Sequence, residues 1–167
     1  MKGFNATVVE DFRANGGRVG GAFEGAPLTP VHHRGRRSGR KFVSPMMYMP
    51  DDQDPDTIYV FASKGGAPSH PDWYHNLTAA GAAEVEVGTE RYPVTVTEVT
   101  GADRDRIYAE QARRYPGFAE YEQKTAGIPP SPSSRCAAAR TPEGGVHGSG
   151  RRTEGGTEVP AGHTRRP

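Results

Sequence analysis

The chain has one cysteine, Cys136, in 167 residues. With nothing to pair with, it excludes an internal disulfide framework and a cysteine-built metal site, and a reducing, cytoplasmic setting is the expectation. Long apolar runs are missing too. None approaches the roughly 20 residues that span a bilayer, and the opening Met1-Lys2-Gly3-Phe4-Asn5 lacks an apolar signal core, so neither an integral membrane segment nor export is expected. Neither positive nor negative charge is in excess: the formal net charge is +1, which gives no electrostatic reason for a nucleic-acid or anionic-membrane partner. No Gly-x-Ser-x-Gly turn is present, so hydrolysis has no support. The histidines make no metal set, because His32 and His33 point to opposite faces of a strand and His70 and His75 are not at helical ligand spacing.

Aromatic residues disappear from Pro129 onward, where Pro, Gly, Ser and Arg dominate and Val146 and Val159 are nearly the only bulky apolar side chains. Such a segment buries too little apolar surface to offset the entropy of ordering it. The expected organisation is one folded domain over residues 1–128 and a disordered tail over 129–167. Read one base earlier, the codons from Pro130 to Ala138 can encode an apolar, strand-like run, so the tail is read as a frameshift product that replaced a closing strand.

Before that boundary the pattern is orderly. Phe4, Val8 and Phe12 fall on one face of a helix ending at Gly16-Gly17. Pro27 to His33 reads as a strand in which Pro30 removes a ladder donor, so an edge position or a bulge is expected. Phe42 to Met49 and Thr57 to Ala62 read as a hairpin about the turn Asp51-Asp52-Gln53-Asp54-Pro55-Asp56. A short helix from Pro71 to Ala80 should stop at Gly81. Ala83 to Val87 and Tyr92 to Val99 alternate about Gly88-Thr89. Thr100 and Asp103 resemble a capping box opening a helix with Ile107, Tyr108 and Ala112, and a last helical turn holds Tyr115, Phe118 and Tyr121. Five strands, short helices and no βαβ alternation predict an α+β domain built on a small, mainly antiparallel barrel.

Two glycine turns concentrate positive charge. In Arg34-Gly35-Arg36-Arg37-Ser38-Gly39-Arg40-Lys41 the backbone turns tightly among cations, an arrangement suited to phosphate or carboxylate. A basic surface loop is the commoner origin of such a run, and it matches neither the P-loop nor the dinucleotide fingerprint. Ser63-Lys64-Gly65-Gly66 directly follows a strand, where it is either an exit turn or a second anion contact. Together the turns favour one shared anionic ligand. Trp73 is weighed as packing first, Asn76 as a structural amide, and Tyr115, Phe118 and Tyr121 share a helical face that by default is core.

The order and spacing of Gly35-Arg36-Arg37-Ser38-Gly39, Ser63-Lys64-Gly65-Gly66-Ala67, Pro71-x-Trp73-Tyr74-x-Asn76-Leu77 and Tyr115-Pro116-x-Phe118-x-x-Tyr121 resemble the deazaflavin-dependent nitroreductases over about the first 127 residues. The resemblance implies a split β-barrel related to flavin-reductase-like barrels, with coenzyme F-420 in a groove of the barrel. It further implies an oxidoreductase that passes hydride from the reduced coenzyme to a small electrophilic acceptor, an enone, quinone or nitroaromatic. Arg36, Arg37, Ser38 and Gly39 would hold the coenzyme's phosphate, Arg40 and Lys41 its acidic tail, with Ser63, Lys64, Gly65 and Gly66 beside them. Met47, Trp73, Tyr115, Phe118 and Tyr121 would line the acceptor pocket, and Tyr115 or Tyr121 would deliver a proton. Phe42 stands where many relatives carry arginine, Phe118 replaces a tyrosine of some, and Met47 stands where a tyrosine can line the acceptor site. An FMN-dependent barrel and a non-catalytic deazaflavin-binding protein remain the competing readings, and pairing into a homodimer accords with barrels of this kind.

Overall fold

The computed structural model describes residues 3–63, 69–124 and 136–140. The first helix, α1 (Phe4–Ala14), buries Val8 and Phe12 against Val19 and Leu28. Phe4, expected on the same face, is 68% exposed, because the cluster begins one turn further in. Six strands follow among the described residues: β1 (Leu28–Arg34), β2 (Lys41–Pro50), β3 (Thr57–Phe61), β4 (Ala82–Val87), β5 (Glu90–Val99) and β6 (Cys136–Arg140). Helix α2 (Asp72–Ala80) lies between β3 and β4, and α3 (Gly101–Arg114) and α4 (Gly117–Lys124) between β5 and β6. None of the helices among the described residues is long and apolar enough to cross a membrane.

All strand pairs are antiparallel and close in the order β1-β2-β3-β6-β5-β4, with β4 returning to β1. Alternation sorts the side chains. Met46 on β2, Ile58 and Val60 on β3 and Val85 on β4 join the interior cluster, while Met49, Tyr59 and Phe61 face outward to α3 and α4. Helix α2 places Leu77 in the interior cluster. It ends at Gly81, whose φ of 65° is the left-handed C-cap that glycine adopts without a Cβ penalty.

Three expectations are corrected. The disordered tail was to begin at Pro129, yet Cys136–Arg140 forms β6, which pairs with both β3 and β5 and buries Ala139 in the interior cluster. The chain as written therefore supplies its own closing strand, without the shifted frame; the rest of 129–167 lies outside the described residues. Second, for the edge position or bulge expected at Pro30, β1 is an inner strand, paired with β2 along its whole length and with β4 at Val31↔Val85 and His32↔Glu84, but Pro30 itself lies beyond the β4 ladder and pairs there only with β2. Where that second ladder stops, the Thr29 hydroxyl donates to the Glu86 carbonyl at 2.9 Å, offering a donor beside a residue that has none. Third, Thr100 is the N-cap of α3 but makes no side-chain capping bond.

Helix α1 is held to the barrel by charge as well as by packing. Arg13 donates twice to Glu86 on β4, at 3.0 and 2.5 Å, and the His32 ring meets the same carboxylate at 2.6 Å. Beyond the helix, Gly17 has a φ of 94° and lies so close to the β4–β5 turn that a Cβ would sit 2.5 Å from Gly88 Cα. Since both partners there are backbone, Gly17→Ala is expected to cost about 2 kcal/mol or more through overpacking and the left-handed strain. Thermal melts would show it, and an unchanged Tm would mean that the hairpin turn is free to move away.

Candidate active site

The β1–β2 connection, residues 35–40, is a compact turn. The Gly35 N–H donates to the Arg40 carbonyl at 2.9 Å and the Gly39 N–H to the Gly35 carbonyl at 2.8 Å. Ser38 Oγ accepts from the Arg40 N–H at 3.2 Å. Gly39 has a φ of 68°, which favours glycine, and a Cβ on Gly35 would meet Ser38 Oγ, which would have to turn away from the Arg40 N–H. Arg34, Arg36, Arg37, Arg40 and Lys41 project from it exposed, without a salt bridge among the described residues. Elsewhere, Arg13, Arg91, Arg104, Arg106, Arg113 and Arg114 each meet a carboxylate. Among the described side chains, Arg18 and Lys124 are the other arginine and lysine residues without a salt bridge, but they stand singly, whereas five unneutralised cations are gathered at the end of one hairpin.

The turn is anchored from below. The Arg36 N–H donates to Asn76 Oδ1 on α2 at 2.9 Å, Asn76 Nδ2 lies 3.1 Å from His33 Nδ1, and His33 Nε2 lies 2.8 Å from Ser44 Oγ on β2. His33 and Asn76 are both buried. The His33 ring stacks on Phe42, at 5.6 Å between centroids, and the Arg40 guanidinium lies 5.8 Å from the Phe42 ring. Burial, with His32 as a smaller contribution, holds the His33 imidazole below its ordinary range.

Of the second expected turn, Ser63 is buried after β3 and Lys64, Gly65 and Gly66 lie outside the described residues. The aromatic set divides. Met47, Tyr115, Phe118 and Tyr121 gather in the outer cluster with Tyr59, Phe61 and Tyr108, whereas Trp73 packs against the barrel interior. Phe118 is buried edge-on against Phe61, Tyr108 and Tyr121, while Tyr115 and Tyr121 are half-buried. The Tyr108 hydroxyl ties α3 to α4 by donating to the Phe118 carbonyl at 2.9 Å, and desolvation drives its pKa well above the usual phenol range. Two surface grooves, of about 940 Å³ beside the α1–β1 link and about 610 Å³ between α3 and the β2–β3 turn, include neither the arginine turn nor Tyr115 and Tyr121.

Sequence reasoning missed Gln111. It is 0% exposed on α3, one turn before Tyr115, and neither its amide nitrogen nor its oxygen has a hydrogen-bond partner among the described residues. A polar residue on the apolar stripe of Ile107 and Tyr108 was the available signal. A buried, unpaired amide costs about 1–3 kcal/mol, so Gln111→Met is expected to raise Tm by several degrees. A fall would show that the amide has a partner, such as an ordered water.

A closed antiparallel barrel with a cationic turn between β1 and β2 and aromatic helices on its outer face is the architecture of the split-barrel class. The chain belongs to the F420H(2)-dependent quinone reductase family, whose model matches residues 5–130, and its cofactor is coenzyme F-420. It is 31% identical over 114 residues to a putative F420H(2)-dependent quinone reductase of Mycobacterium tuberculosis, Rv3178, an alignment covering 67% of this chain and 93% of that protein. It is 36% identical over 95 residues to the F420H(2)-dependent quinone reductase Rv1261c of the same organism, covering 56% of this chain but 62% of that protein, so less than two thirds of that relative is represented. A solved F420-H2 dependent reductase (FDR-A) superposes with a TM-score of 0.57 at 29% identity, over 68% of this chain and 94% of that one. A second solved chain with the same TM-score and identity, described as a domain-swapped dimer, is covered to 80%. The resemblance to deazaflavin nitroreductases was right in its coenzyme, and the family label names quinones as the acceptor class.

Proposed function

We propose that this chain transfers hydride from reduced coenzyme F-420 to a quinone, with enones and nitroaromatics as further candidate acceptors. The observation that carries the reading is the group of unneutralised cations on a glycine turn whose shape is fixed from below. Arg36, Arg37, Ser38 and Gly39 would grip the coenzyme's phosphate through guanidinium forks and backbone N–H groups, and Arg40 and Lys41 its carboxylate tail. Ser63, and on sequence grounds Lys64, Gly65 and Gly66, would complete the grip. From Lys41 to Met47 the strand runs about 20 Å, a gap shortened by long side chains at both ends. An elongated ligand, anionic at one end and aromatic at the other, suits that layout better than a small anion.

Bound in reduced form, the coenzyme supplies the hydride. The protein's part is to orient the acceptor, exclude water and meet the negative charge that develops on the acceptor oxygen. Tyr115 or Tyr121 is assigned that last task, as donor of a hydroxyl proton at the rim of the outer cluster. Met47 and Phe118 would shape the apolar wall there, while Trp73, packed toward the interior, serves better as a reporter of coenzyme binding. A dimer and a cytoplasmic site of action complete the proposal, the first supported by the solved relative described as domain-swapped.

The test is a titration of the purified chain with oxidised and reduced F-420, followed by Trp73 fluorescence, with FMN as control. Saturable binding of F-420 alone, followed by turnover with a quinone, is the expected result. Selective binding of FMN would overturn the coenzyme roles of the arginine turn, and binding without turnover across an acceptor panel would make the protein a carrier.

A further inference from the structure

The bonds beneath the arginine turn can be directed one at a time. The Arg36 N–H can only donate, so the Asn76 atom facing it is the oxygen. Asn76 Nδ2, a donor, is then the atom that faces His33 Nδ1, which must be an unprotonated acceptor. The ring proton therefore sits on Nε2 and is donated to Ser44 Oγ. One neutral tautomer of His33 satisfies the whole chain from β2 through β1 and α2 to the turn. A second proton, placed on Nδ1, would set two donors against each other. Turning the Asn76 amide over would relieve that clash only by placing its NH2 against the Arg36 N–H, so either way the turn loses its anchor.

We propose that His33 is a positioning residue for the coenzyme: as the neutral Nε2–H tautomer it fixes Asn76 and thereby the Arg36 N–H, and a proton bound at Nδ1 releases the turn. This rests on the reading that the turn holds the coenzyme's phosphate. The charged and titratable groups on the elements packed around His33 are His32 and Arg34 on β1, Arg36, Arg37 and Arg40 in the turn, Lys41 and Tyr48 on β2, Glu84 and Glu86 on β4, and Asp72, Tyr74 and His75 on α2. His32 is the one whose charge shifts His33, and it acts with burial to oppose protonation. In the folded chain the neutral form therefore persists below 6.5, the ordinary imidazole value, and the anchor is lost as pH falls further, through the lowered pKa.

Two measurements on the full chain test this. Nitrogen-15 NMR would follow the His33 tautomer and the solvent exchange of the Arg36 amide as pH is lowered, with no coenzyme present. Calorimetric titration with F-420 would compare wild type with His33→Asn, whose side-chain oxygen can stand in for Nδ1 as an acceptor that does not protonate. The coenzyme's own titration is common to both proteins and cancels. Loss of one hydrogen bond corresponds to a Kd roughly fivefold higher. That rise is expected in wild type between about pH 7.5 and the pH at which the NMR shows Nδ1 of His33 protonated, together with a lower protection of the Arg36 amide relative to its intrinsic exchange rate, and neither change is expected in His33→Asn. An Arg36 amide indifferent to His33 protonation in wild type overturns the proposal without recourse to any variant. If the amide does follow His33 but wild type binds no F-420 at pH 7.5, the coenzyme reading fails instead, and the role of His33 toward the coenzyme fails with it.

Discussion

Glu86→Gln is expected to lower the melting temperature by about 6–15 °C at neutral pH, from a loss of roughly 2–3 kcal/mol. Glu86 is 8% exposed and is shared by Arg13 and His32, so it joins α1, β1 and β4. The hydrogen bonds from Arg13 outweigh the desolvation that opposes them and hold the carboxyl at about 2, against an ordinary 4.5. Taken whole, that displacement is about 3 kcal/mol of linkage. The Arg13 side chain is 50% exposed, so solvent screening reduces the electrostatic share to about 2 kcal/mol. Because the folded pKa is depressed, the contribution is complete above 4.5 and disappears as pH falls from 4.5 towards 2. Melts of wild type and variant should therefore differ most near neutrality and converge in acid. Parallel curves down to the acid limit would take the ionised Glu86 out of this role.

The double variant Arg36→Ala/Arg37→Ala is expected to raise the Kd for F-420 by roughly 100- to 1000-fold, as two charge-assisted hydrogen bonds of about 1.5–2 kcal/mol each would be lost. The fold should not suffer, because both side chains are exposed and the turn's own bonds come from Gly35, Gly39, Arg40 and the Arg36 backbone, all retained. Arg113→Ala is the matching control: it removes an exposed guanidinium already paired with Glu110 on α3. Equal effects of the two would reduce the turn to general electrostatics, and less than a threefold change in the double variant would move the phosphate elsewhere. Raised salt should weaken wild-type binding more than that of the double variant, since fewer charges remain to be screened.

Those variants concern features of unequal visibility in the sequence. From α1 to α4 the elements were legible because local signals bracket them: Gly16-Gly17, Gly81 and Gly88-Thr89 mark stops and turns, and the β2 and β3 segments alternate between barrel interior and outer face. Strand β6 was not. Cys136-Ala137-Ala138-Ala139-Arg140 has neither alternation nor strand-forming bulk, and becomes a strand because β3 and β5 each present an unpaired edge to it. The candidate site divides the same way. Its cations and glycines can be read from eight consecutive residues, but the amide that anchors them is Asn76, forty residues beyond Arg36, and packing alone placed Trp73 in the interior group, away from Tyr115 and Tyr121.

The late position of β6 also orders events in time. Its partners β3 and β5 are synthesised well before it, and at roughly 5–20 residues per second translation from Val99 to Arg140 takes on the order of several seconds. Hairpins form in microseconds. A nascent chain therefore has time to assemble most of its sheet while two strand edges still lack the segment that will join them, and ribosomes following on the same messenger carry copies at the same stage. Final closure requires contacts between distant parts of the chain, which form slowly. The yield of correctly closed monomer should consequently depend on how closely ribosomes are spaced during expression, and slower initiation should favour it.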